Sequence, residues 1–145
     1  MRNTLLVATV IPLGMLLGCG VTTPSVIELE QGRSRWAGHH LTNYEYDYEM
    51  SGFFNRLSGQ TVHVVVISDT IRTAVLVASG DTIPVPNASL ATVDRLFAQA
   101  IAAREAGTLA GIQLDPVLGY PRRININGPP DASGSINVSH LKPLL

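Results

Sequence analysis

Hydrophobic and polar positions alternate from Leu41 to Met50, with Tyr44, Tyr46 and Tyr48 pointing one way and Glu45, Asp47 and Glu49 the other. A period of two predicts a strand buried on one face. Thr61 to Ile67 is almost continuously apolar and β-branched, and Thr70 to Ser79 is similar, with Ser68-Asp69 as the polar break between them. Together they predict a hairpin buried in mid-sheet. Ser79-Gly80-Asp81 ends it, and Pro84 and Pro86 leave a loop through Asn87, because proline lacks the N–H a central strand needs.

The period then changes. Val93, Leu96, Phe97, Ala100 and Ile101 recur at helical spacing, Thr92 precedes them as a cap, and Gly107 can end the run, which predicts a helix whose apolar stripe lies on a sheet. An earlier helix is predicted from Ser25: Ser25 and Glu28 form a capping box, Leu29 and Trp36 share a face, and Gly38 is a stop. Leu109 to Leu114 reads as a strand, Asp115-Pro116-Val117-Leu118-Gly119 as a turn, and Tyr120 to Asn127 as the returning strand. In that strand Tyr120, Arg122, Ile124 and Ile126 share a face. A loop runs from Gly128 to Gly134, and Ser135 to Leu141 is the last strand.

These elements predict an α+β fold, an antiparallel sheet with two packed helices in the order α-β-β-β-α-β-β-β, as a single domain over residues 25–145. Arg35-Trp36-Ala37-Gly38 and Arg104-Glu105-Ala106-Gly107 end the two helices alike, with a strand after each. Two αβββ units would explain the likeness, and so would chance.

Residues 1–18 have a different character. Arg2 is followed by an apolar run from Thr4 to Leu17, too short for the roughly 20 residues of a membrane span but suited to a secretory signal. Leu16-Leu17-Gly18-Cys19 resembles the bacterial lipobox. The resemblance implies cleavage between Gly18 and Cys19, acylation of Cys19, and a short tether over residues 19–24. Two or three acyl chains hold a protein on a membrane where one does not. The expected address is outside the cytoplasm. Gly20 rather than Asp follows the cysteine, which by the same resemblance favours the outer membrane facing the periplasm in a diderm, or the outer face of the cell membrane in a monoderm. The competing reading of Cys19 is a buried thiol in an N-terminal helix.

Composition narrows the partners. Hydrophobic residues make up 46% of the chain and charged ones 14%, with 10 Lys and Arg against 11 Asp and Glu. That balance argues against disorder and supplies no field to attract nucleic acid. The expected contacts are the membrane, through the lipid on Cys19, and an envelope protein.

Candidate chemistry is sparse. His39, His40, His63 and His140 include no HxH or HExxH pair, and adjacent residues on a strand point apart. His63 lies in an apolar strand and is expected to be a hydrogen-bonded sheet histidine. Glu45, Asp47 and Glu49 lie about 7 Å apart along one strand face and splay, so a solvated face is favoured over a Ca²⁺ site. The mature chain has no GxSxG motif, no cysteine nucleophile once Cys19 is acylated, and no glycine-rich phosphate loop. No cofactor and no catalytic residue is assigned. Asp115, Tyr120 and Arg122 are candidates for a recognition surface, although Asp115 and Gly119 are also the residues the turn itself demands.

Four of these segments together resemble a known family. Trp36 at a helix end, Tyr44-Glu45-Tyr46, Thr92-Val93-Asp94-Arg95-Leu96-Phe97 and Asp115-Pro116-Val117-Leu118-Gly119-Tyr120-Pro121 are similar to the small predicted lipoproteins catalogued as the domain of unknown function 6174. The likeness covers nearly all of residues 33 to 127. It implies a cysteine pair after the Tyr-x-Tyr strand, where this chain instead reads Ser51-Gly52-Phe53-Phe54, and it implies no activity. A more distant likeness, in architecture alone, is to the PepSY module of peptidase propeptides. The expected function is therefore a non-catalytic interaction module of the envelope. A PepSY-like inhibitor or modulator of an envelope peptidase is the alternative, and a small hydrolase comes third.

Overall fold

The computed structural model describes residues 26–52, 55–129 and 133–145. The expected signal peptide, the expected tether with Cys19, and the expected capping residue Ser25 lie outside the described residues. The elements are α1 (Val26–Gly38), β1 (Tyr44–Gly52), β2 (Thr61–Ile67), β3 (Thr70–Leu76), α2 (Val93–Glu105), β4 (Leu109–Leu114), β5 (Pro121–Ile126) and β6 (Gly134–Pro143). The expected α+β order is thus the observed one. Among the described residues no helix is long and apolar enough to cross a membrane.

The six strands form one antiparallel sheet in the order β3-β2-β1-β6-β5-β4. Both helices lie on the face that carries the tyrosines. Tyr44, Tyr46 and Tyr48 are almost wholly buried, as are Val62, Val64 and Val66 from β2 and Leu96, Phe97 and Ala100 from α2. Period two on the strands and period 3.6 on α2 therefore meet in one core. Phe97, 1% exposed, sits at its centre. Each aromatic side chain of this size removes on the order of 150–250 Å² from water.

The tyrosines also dock α2. Tyr46 donates its hydroxyl to the Ala91 carbonyl, and Tyr44 accepts from the Val93 N–H at 3.1 Å. Burial pushes the Tyr44 hydroxyl up to about 12 and raises Tyr46 further, so both stay protonated. The side chain of Thr92 caps the helix by accepting from the Arg95 N–H.

Two expectations are corrected. The β2–β3 hairpin does not lie in mid-sheet, because β3 is an edge strand on which Thr70, Arg72 and Thr73 are exposed. Backbone bonds from the following loop, Leu76 N–H to Asp81 and Ile83 N–H to Ala74, cover part of that edge. The apolar run of β2, buried on one face and half-buried on the other, reads like that of β3 and says nothing about which strand is last. The similar helix ends do not extend to repeated units either. The strand order and the alternating directions are those of a mirror arrangement, and no rotation that keeps both helices on one face carries β1-β2-β3 onto β4-β5-β6.

Candidate functional site

The face of the sheet opposite the helices is defined by register. Gln113, Arg123, Asn137, Glu49 and Thr61 stand side by side across five strands, forming an unbroken polar row. The neighbouring row runs Ser139, Asp47, His63 and Val75. Lys142 is opposite Glu45 on β1. Cations therefore sit on the β5–β6 side, carboxylates along the central β1, and the half-buried Val65 and Val75 towards β3. Among the described residues no helix covers this face.

Asp47 is its hub. Its Oδ1 accepts from His63 Nδ1 and its Oδ2 from His140 Nδ1, each at 2.9 Å. A carboxylate only accepts, so both imidazoles present Nδ1–H to it and turn Nε2 away, the tautomer that leaves Nε2 free for another partner. His63 Nε2 lies 3.7 Å from Glu45 Oε2, so protonation of His63 gives it a second carboxylate to pair with. Partial burial pushes the Asp47 carboxyl up, but the two imidazole hydrogen bonds outweigh it and hold the group below its ordinary value.

His140 reaches Asp47 because β6 carries a bulge. Asp47 pairs with Ser139 and Glu45 with Lys142, so β6 has one residue more than β1 between these pairs. His140 takes φ +54° there, in the left-handed region. Bulges redirect side chains in this way, and a non-glycine residue in that region costs on the order of 1 kcal/mol or more. His63 is the hydrogen-bonded sheet histidine expected from its strand. His140 was not expected beside it, nor Asp47 as more than one of three solvated acids. No spacing rule links residues 93 apart across a bulge. Among the described residues no three His, Cys, Asp or Glu are placed to hold one metal ion.

The Asp115 segment has a different use. Asp115 Oδ1 accepts from the N–H groups of Val117 at 3.0 Å and Leu118 at 2.7 Å, closing the turn. Gly119 has φ +85°, and a Cβ there would stand 2.6 Å from the Gly32 carbonyl oxygen and 2.9 Å from Arg35 Cβ. The turn therefore seats α1. Arg35 donates to the Pro116 carbonyl at 3.2 Å, and Tyr120 meets the edge of Trp36 with ring centroids 6.3 Å apart. Trp36 in turn stands edge-on to Tyr44 at 5.2 Å. Tyr120 is 6% exposed and belongs to the core, which removes it from the proposed recognition surface. The Asp115 carboxylate serves the turn backbone, and Arg122 alone of the three is exposed.

Fold and site together define a small two-layer α+β domain with a polar, histidine-bearing sheet face left open among the described residues. The profile of the family of unknown function DUF6174 matches residues 28–143, and the chain belongs to that family. No curated protein and no solved structure matches the chain.

Proposed function

We propose that this protein is a lipid-anchored domain of the cell envelope that acts by binding a protein partner, and that it presents the sheet face around Asp47. The observation that carries this reading is the Asp47 hub: it holds two imidazoles on an open face, and a bulge with a left-handed residue brings the second, His140, to it. Strained, preorganised polar groups cluster at functional sites. A rigid face also loses less side-chain entropy on binding than a mobile one. The charge gradient from Arg123 and Lys142 to Glu45 and Glu49 suits a partner of complementary pattern, which fixes register and specificity more than raw affinity. The anchor rests on the lipobox-like segment ending in Cys19, and the membrane would then hold the domain near its partner.

Two measurements test the two halves separately. Cys19→Ser should abolish palmitate labelling, and labelling that persists in this variant would overturn the anchor. Affinity capture from detergent-solubilised membranes should recover a stoichiometric protein with the wild type and lose it with a folded Asp47→Ala, His63→Ala double variant. Equal recovery with both would overturn the assignment of the face, whatever the anchor does. A captured peptidase would identify the partner class as the target of an inhibitor.

A further inference from the structure

The third tyrosine of β1 differs from its two neighbours. Tyr44 and Tyr46 spend their hydroxyls on the backbone leading into α2. Tyr48 is 2% exposed, and its hydroxyl, which bonds none of the described residues, is not sealed from solvent. Burial raises its pKa well above the ordinary tyrosine value, with Arg95 offsetting part of the effect, so the group stays a neutral O–H donor. On α2, the side-chain oxygen of Gln99 is buried without a partner. A buried polar group left unpaired costs about 1–3 kcal/mol.

Both residues line the same cavity, between the end of α2 and the helix-bearing side of the sheet. It is an open cleft with a volume of about 430 Å³. Met50, Ala102, Ile126 and Ile136 supply its apolar walls, and among the described residues none of the side chains lining it is charged. The hydrogen bond from Asn55 Nδ2 to Ser89 Oγ, at 2.6 Å, ties together two loops that border it. At the ~30 Å³ that a water-sized group occupies, the volume suits a molecule of roughly a dozen non-hydrogen atoms.

We infer that this cavity is a binding site for an uncharged amphipathic small molecule: an apolar chain with one hydroxyl or amide head that donates to Gln99 and accepts from Tyr48. The walls argue for the chain, because their apolar area gains nothing from water. The two unmet groups argue for a head with both a donor and an acceptor, since a site built to hydrogen-bond a substrate rejects an analogue that lacks the group. The absence of charge among the described lining residues argues against an ionised head, which would be desolvated without a counter-ion. The site lies on the opposite side of the sheet from Asp47 and does not depend on the reading of that face.

The test is a methyl NMR titration of the purified protein with 1-octanol, octanoate and octyltrimethylammonium. Octanol should bind saturably and shift the methyl signals of Met50, Ile126 and Ile136, while both ions bind more than tenfold more weakly. Ala102→Trp should fill the cavity and abolish those shifts. Tyr48→Phe, which keeps the ring and its packing, should weaken octanol about five- to tenfold. Absence of saturable shifts at the three residues would overturn the proposal. Equal binding of octanol and the two ions, or of octanol to wild type and folded Tyr48→Phe, would also overturn it.

Discussion

Two aspartates organise two regions of this molecule in opposite ways. Asp115 sits in the most distinctive stretch of the chain, and its carboxylate is used up within the turn, on the N–H groups of Val117 and Leu118. Asp47 sits in an ordinary alternating strand, and its carboxylate gathers side chains from two other strands. The first region is a packing device: Gly119 and Gly32 lack side chains because α1 and the turn touch backbone to backbone. The second makes no comparable packing contact and keeps its polar atoms towards solvent. A distinctive local motif thus marks a geometric demand on the backbone, while the reactive side chains are collected by sheet pairing.

The comparison breaks most visibly at Gly119. Gly119→Ala puts a Cβ at positive φ and into the backbone of α1, so it should cost about 2–4 kcal/mol by denaturant unfolding. A cost below about 0.5 kcal/mol would mean that α1 does not rest on the turn. A smaller effect is expected at the carboxylate next to it. Asp115→Asn keeps an oxygen that accepts the same two N–H groups, so it should cost less than about 1 kcal/mol, against about 1–2 kcal/mol for Asp115→Ala. Equal losses in the two variants would show that charge, and not turn geometry, holds this segment.

The smallest effect on stability belongs to Asp47, and its signature is its dependence on pH. The folded protein holds this carboxyl below its unfolded value. The contribution is therefore fully present above about pH 4 and drains away as the pH falls through the folded value. The stability difference between wild type and Asp47→Asn should accordingly shrink on going from pH 5 to pH 2.5. A difference that stays constant over that range would mean that the imidazoles do not hold Asp47 in its ionised form.

Much of the fold was legible because it rests on local period. The alternation at Tyr44, Tyr46 and Tyr48 defined β1 and its buried face, and the stripe of Val93, Leu96, Phe97 and Ala100 defined α2 and its Thr92 cap. The edge position of β3 was not legible, because an apolar strand reads alike whether one neighbour or two flank it. Tyr120 shows the same limit. Its alternation with Ile124 was visible, but its burial depends on Trp36 arriving from α1. The site was the least legible part, since His140 meets Asp47 only through the β1–β6 pairing and one inserted residue.

The claim that the open sheet face is the working surface is tested most directly by photocrosslinking in intact cells. A crosslinking amino acid is placed at Thr61 or Asn137, which flank Glu49 on that face, or at Asp94 or Ala98, exposed on α2. The account predicts a discrete protein adduct from positions 61 and 137 and none from positions 94 and 98. An adduct from the α2 positions alone, or of equal yield from both faces, would contradict it.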